Sequence, residues 1–267
     1  MEEAASEAFN RLHIIEPKHF VLVHGAGHGA WCWFKLRCLL EVAGHKATCL
    51  DLAGAGVNLS HPSSILTFHD YNKPLFDFLS MLPEGHKVIL VGHSAGGLSL
   101  THSLHHFGDK IEVAIFVAAT MLPSGFSTEE DVKDGVPDLS EYGDVYSMEF
   151  SLGRDKPPTS LAFREEFQRK LLYQLSPIED SVLASMLLRP APTQALRSAK
   201  FEGKVSEVRR IYIKTTYDKV VKPEKQETMI RKWPPQQVFV MDTDHSPFFS
   251  APQQLFELII RASASTL

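Results

Sequence analysis

Gly92-His93-Ser94-Ala95-Gly96 sets a serine between glycines at the end of the apolar run Lys87–Val91. The pattern is G-x-S-x-G, and a small-residue helix start follows it. A nucleophile must stand clear of the backbone on a sharp turn, so the positions two residues away on either side must be small. Gly92 and Gly96 meet that need. The helix beginning after Ser94 would aim free N–H groups at a reacting carbonyl. A serine hydroxyl is too weak an acid to attack unaided, so this chemistry also requires a base and a group that orients the base.

Thirteen histidines compete for the role of base. His93 adjoins the nucleophile, and its side chain is expected to point away. His102, His105 and His106 lie further along the same helix. His245, in "MDTDHSPFF", follows the last apolar run across a short polar loop and is the better candidate. For the acid, Asp218 in "IYIKTTYDKVV" stands just past a separate strand. Asp242 and Asp244 remain rivals, but a carboxylate on the same short loop reaches the imidazole edge poorly. The order Ser94, Asp218, His245 is one used by serine hydrolases with a parallel sheet. An oxyanion needs two preorganised N–H donors. Ala95 directly follows the nucleophile, and Ala26 lies in the small-residue loop "HGAGHGAW".

That loop has a rival reading. Gly25 to Ala30 also fits G-x-G-x-x-A, with Asp51 about 20 residues on, the fingerprint of a nicotinamide-dinucleotide site. This reading leaves Ser94, Asp218 and His245 without a purpose.

These residues must be held by strands and helices. "HFVLVHG", "KATCLDLAG", "KVILVGH", "IEVAIFVAA", "RRIYIKT" and "QQVFVMD" are short apolar runs suited to strands buried on both faces. Helical patterns over 31–44, 71–82, 95–107, 222–232 and 252–262 separate them. The alternation predicts an α/β fold with a mostly parallel six-stranded sheet flanked by helices. Residues 121–197 break the rhythm. They carry Pro- and Gly-rich stretches and helical patterns at 164–175 and 178–188, with no strand candidate. We read them as a helical cap inserted into a core of 19–120 and 198–267, with 1–18 as an N-terminal extension.

The 267 residues carry a formal net charge of -5 and no basic stripe, which argues against nucleic acid as a partner. No apolar run reaches the ~20 residues of a membrane span, and the acidic first residues lack a secretory signal's pattern. Cys32, Cys38 and Cys49 have no metal-type spacing and read as reduced, semi-buried thiols of a cytoplasmic protein.

"HFVLVHGAGHGAWCWFKL", "LDLAGAG", "VILVGHSAGGLSL", "KLLYQLSPIED", "RPAP", "YIKTTYDK" and "DHSPFFSAP" together resemble the plant methylesterase family, which groups with hydroxynitrile lyases among the α/β-hydrolases. "DGVPDLSEYGDVY" and "DHSPFFS" look most like members acting on methyl indole-3-acetate. The resemblance implies an α/β-hydrolase fold and hydrolysis of methyl esters of small acids such as indole-3-acetate, jasmonate or salicylate. It also implies no cofactor, no metal, and homodimers in many members. At the matching positions the catalytic residues are Ser94, Asp218 and His245, with oxyanion donors Ala26 and Ala95. An acyl pocket is expected from Gly25, Met121, Phe126, Tyr142, Tyr146, Met148, Phe150, Leu152 and Phe248. The lyase members carry a threonine and a lysine where this chain has Gly25 and Ser246, so cyanohydrin cleavage is not expected. The resemblance leaves open an alkaloid or pigment methyl ester whose acid then decarboxylates, and a hormone receptor with little turnover.

Overall fold

The computed structural model describes residues 17–264. The N-terminal extension expected over 1–18 therefore lies outside the described residues, apart from its last two.

Six parallel strands form the central sheet: β1 (His19–Val23), β2 (Lys46–Leu50), β3 (Val88–His93), β4 (Ile111–Val117), β7 (Arg209–Thr215) and β8 (Gln237–Met241). Their spatial order is β2-β1-β3-β4-β7-β8, and every neighbouring pair is parallel. Each of the six apolar runs in the sequence became one of these strands. The central β3 is buried at all six positions, as a strand covered on both faces requires. Because all six run the same way, the residues just past β1, β3, β7 and β8 meet at one edge. Those residues are His24, Ser94, Asp218 and His245. Helices α1 (Phe34–Val42), α2 (Phe68–Ser80), α3 (Gly96–His106), α8 (Pro223–Lys232) and α9 (Pro252–Ser263) fill the expected positions around the sheet. Among the described residues, no helix is long and apolar enough to cross a membrane.

Between β4 and β7 the chain forms α4 (Glu129–Gly135), α5 (Glu165–Leu171), α6 (Ile178–Leu187) and α7 (Thr193–Arg197). It also forms an antiparallel pair, β5 (Tyr146–Glu149) with β6 (Ser160–Phe163). This corrects the expectation of a helical insertion without strands. "YSME" and "SLAF" are four residues each and mostly half-exposed or exposed, too short for an alternating pattern to stand out. Residue 178 opens a helix as expected, but the 164–175 pattern is helical only to Leu171.

Candidate active site

Ser94 has φ +54°, the left-handed region that costs a residue with a Cβ about 1–2 kcal/mol. Three backbone bonds hold it there. Its N–H donates to the Val117 carbonyl at 3.2 Å, and its carbonyl accepts from Gly97 at 3.1 Å and Thr120 at 3.0 Å. The strain lifts the side chain off the end of β3. The flanking glycines let the turn and helix fit. A Cβ on Gly96 would sit 2.6 Å from the His24 carbonyl oxygen, and one on Gly92 would sit 2.9 Å from the Gly96 carbonyl oxygen.

His245 Nε2 lies 3.0 Å from Ser94 Oγ, and its Nδ1 lies 2.8 Å from Asp218 Oδ2. A carboxylate only accepts, so Nδ1 carries the proton and Nε2 is left to accept from the serine. Asp218 is itself well satisfied. Oδ1 accepts from the N–H groups of Val220 at 2.8 Å and Val221 at 2.9 Å. Oδ2 also accepts from Thr215 Oγ1 at 3.1 Å and Gln226 Nε2 at 3.4 Å. The rival Asp242 is exposed and accepts from Thr216 Oγ1. The rival Asp244 is buried and bonded elsewhere, to Leu175, Ser176, Ser246 and Ser250.

No described residue accepts from the N–H of Ala26 or of Ala95. Both residues line one cavity with Ser94 and His245. The Ala26 N–H is held in orientation through its own peptide plane. The Gly25 carbonyl accepts from His24 Nδ1 at 2.8 Å and from the His28 N–H at 3.2 Å. In a trans peptide the N–H points opposite the carbonyl, so the Ala26 N–H faces away from those anchors. His24 Nε2 accepts from the Leu52 N–H at 3.1 Å, which fixes the tautomer. Burial pushes the His24 imidazole below its ordinary range, so it stays neutral and keeps this pattern.

His93 does point away from the cavity, but it is not idle. Its Nε2–H donates to the His245 carbonyl at 2.7 Å. Burial, with His245 and His28 nearby, holds it well below the usual imidazole range. His28 was not singled out from sequence. It donates from Nδ1 to the Ala26 carbonyl at 3.3 Å and accepts at Nε2 from Tyr173 Oη at 2.7 Å. Burial, helped by His24 and His245, lowers it to about 3.

Asp51, required by the dinucleotide reading, is already engaged. It accepts from the Ala30 N–H at 2.6 Å and the Val57 N–H at 3.1 Å, closing the loop after β1 onto the loop after β2.

The cavity measures about 320 Å³. Of the expected wall, Phe126, Tyr146 and Met148 line it. The others do not. Tyr146 and Met148 share one face of β5, but the strand ends at Glu149. The alternation therefore fails at Phe150 and Leu152, which are exposed in the turn beyond. Met121 is core, its N–H on Met229 Sδ. Tyr142 sits outside, with the Lys170 ammonium over its ring. Phe248 is buried outside the cavity, its ring 4.9 Å from that of His93 and 5.2 Å from that of Trp33. Gly25 lies beneath Ser94, where a Cβ would come within 2.8 Å of Ser94 Cβ. Walls missed from sequence include Leu98, Leu188, Arg189, Val220 and Val221. Leu98 is one helical turn past Ser94, and the two valines follow Asp218 directly. Their spacing was a usable signal. Of the three thiols, Cys32 is buried, Cys49 half-buried and Cys38 exposed, all unpaired.

Sequence and structure comparisons identify this architecture. The model of the Alpha/beta hydrolase family matches residues 20–258. Methylesterase 17 of Arabidopsis thaliana is 52% identical over 270 residues, covering 99% of this chain and 98% of that protein. Pheophorbidase of Raphanus sativus is 46% identical, covering 91% of this chain and 93% of its own length. The crystal structure of the methylesterase MES16 from Arabidopsis superposes with a TM-score of 0.81 at 44% identity, over 92% of this chain and 98% of that one. The chain therefore belongs to the plant methylesterase family of α/β-hydrolases, and it is a carboxylic ester hydrolase.

Proposed function

We propose that the protein hydrolyses methyl esters of small apolar or aromatic carboxylic acids through an acyl-enzyme on Ser94. The observation that carries this reading is the relay Asp218–His245–Ser94, which ends in a cavity beside two N–H groups without acceptors among the described residues. Ser94 Oγ attacks the ester carbonyl as His245 Nε2 takes its proton. The carbonyl oxygen gains negative charge and rests on the N–H groups of Ala26 and Ala95. Asp218 fixes the tautomer of His245 and stabilises its charged form. His245 then protonates the departing methanol. Water, activated by the same imidazole, attacks the acyl carbonyl and releases the acid and Ser94.

The cavity of about 320 Å³ lies at the small end of the ~300–1,000 Å³ range of ligand pockets. That favours acids of the size of indole-3-acetate, jasmonate or salicylate over a tetrapyrrole pigment. The unpaired thiols fit a reducing compartment, and the cytoplasm is part of this proposal.

The test is a hydrolysis screen over methyl indole-3-acetate, methyl jasmonate, methyl salicylate and alkaloid methyl esters, with Ser94→Ala in parallel. Turnover of a small methyl ester, lost in Ser94→Ala, supports the reading. No turnover of any of them overturns the small-methyl-ester reading and moves the substrate to another class of ester.

A further inference from the structure

The Ser94 site is assembled from loops far apart in sequence. Ala26 follows β1, Asp218 follows β7 and His245 follows β8. Each loop is free to move unless something ties it to the others. Four consecutive residues of the insertion, Tyr173 to Ser176, bond to all three.

Tyr173 Oη donates to His28 Nε2 at 2.7 Å, and His28 in turn holds the carbonyl of Ala26. Gln174 Nε2 donates to the carbonyl of Tyr217 at 2.7 Å, one residue before Asp218. The Leu175 N–H and the Ser176 hydroxyl donate to Asp244 Oδ2 at 2.9 and 3.0 Å, one residue before His245. Asp244 Oδ1 accepts from the Ser246 N–H at 3.0 Å and from Ser250 Oγ at 2.8 Å. Its carboxylate thus grips the His245 loop on one side and the insertion on the other. Each bond lands within two residues of a group that the chemistry uses. Tyr173 and Asp244 are fully buried and Ser176 nearly so. The Tyr173–His28 and Ser176–Asp244 bonds are therefore shielded from water, the Gln174–Tyr217 bond is exposed, and the bonds to the Asp244 carboxylate are charge-assisted.

We propose that Tyr173–Ser176, with Asp244 as its receptor, is a positioning segment that locks the Ala26, Asp218 and His245 loops into one catalytic arrangement. The proposal rests on the Ser94–His245–Asp218 reading given above. Its consequence is specific. Loosening the segment misplaces groups that matter most in the transition state, so kcat falls while KM changes little. A misplacement of about 1 Å costs up to ~100-fold in rate. A merely structural tie would lower stability without that split.

A part-buried ion pair offers the comparison. Asp180 of α6 pairs with Lys35 of α1, joining the insertion to a helix of the core and to none of the three loops. Neither residue lines the cavity.

The experiment measures kcat, KM and Tm for wild type, Tyr173→Phe, Asp244→Asn, Asp180→Asn and Ser94→Ala, with p-nitrophenyl acetate as the probe. Tyr173→Phe keeps the ring and removes one hydroxyl. Asp244→Asn leaves two of its four donors, a backbone N–H and a serine hydroxyl, facing an amide nitrogen that cannot accept. Tyr173→Phe and Asp244→Asn are expected to lose about tenfold or more in kcat, with KM changed by less than about threefold. Asp180→Asn is expected to lower Tm and leave kcat within about twofold. Should Asp244→Asn fail to fold, Tyr173→Phe decides alone. Wild-type kcat in Tyr173→Phe overturns the proposal, as does an equal loss of kcat in Asp180→Asn. Ser94→Ala separates the two levels: if it stays active, the triad reading has failed and not the positioning segment alone.

Discussion

The Nε2–H of His93 donates to the backbone carbonyl of His245 over 2.7 Å. The residue before Ser94 therefore grips the backbone of the residue whose ring Ser94 faces. The two imidazoles also pack together, with centroids 4.6 Å apart. His93→Phe preserves a ring of similar shape and removes the donor. A buried carbonyl left without its partner costs about 1–3 kcal/mol. For a chain of this size that is a fall in Tm of roughly 3–10 °C. Because the freed carbonyl belongs to the proposed base, kcat should fall at least about tenfold as well. Thermal unfolding and steady-state rates of the purified variant check both.

Asp218→Asn should cost about 10³-fold or more in kcat, because an amide supports the wrong imidazole tautomer. Asp242→Asn should stay within about twofold. Asp218 is buried against His245, whereas Asp242 is exposed and bonds only Thr216 among the described residues. Ester hydrolysis rates of the two variants decide it, and the reverse ranking would move the acid onto the His245 loop.

Gly96→Ala should unfold the protein or lower Tm by well over about 5 °C. Its Cβ would press into the His24 and Val23 carbonyl oxygens at 2.6 and 2.8 Å, where helix α3 abuts β1. Gly85→Ala is the comparison. It also adds a Cβ, at φ +74°, but nothing lies within 4 Å. Only the backbone conformation resists it, at about 1–2 kcal/mol. Differential scanning calorimetry of the pair separates steric contact from backbone strain.

Acid should destabilise this fold early. His24, His28 and His93 are buried and neutral, each pushed below 6.5 chiefly by burial, His28 to about 3. Below about pH 6.5 the unfolded chain binds protons at these positions and the folded chain does not. Stability then falls as pH falls, and above about pH 7 the contribution vanishes. Each histidine adds a slope of up to about 1.4 kcal/mol per pH unit, roughly 4 for the three together. Tm should therefore drop steeply between about pH 6 and about pH 5. A Tm constant over that interval would contradict the buried neutral state.

Strands and triad candidates were legible because their physics is local. A doubly covered parallel strand must be an apolar run, and a nucleophile on a tight turn must have small neighbours. Ser94, Asp218 and His245 each stand just past such a run, so their meeting at one sheet edge followed from topology. The cavity wall was less legible because it forms where separate segments meet. Phe150 and Leu152 had the right chemistry, but β5 stops at Glu149 and releases them to solvent. Phe248 had the right neighbour in sequence and packs on its far side. His28 and Asp244 were hidden for a different reason. Their roles are set by partners in the insertion, Tyr173 and Ser176, which lie more than 60 residues away along the chain.

The most direct measurement is acid-quench mass spectrometry during turnover of p-nitrophenyl acetate. The wild-type protein should gain one acetyl group, mapped to the peptide that contains Ser94, and Ser94→Ala should gain none there. Steady turnover without an acetyl group on Ser94, or equal turnover by Ser94→Ala, would contradict an acyl-enzyme at this residue.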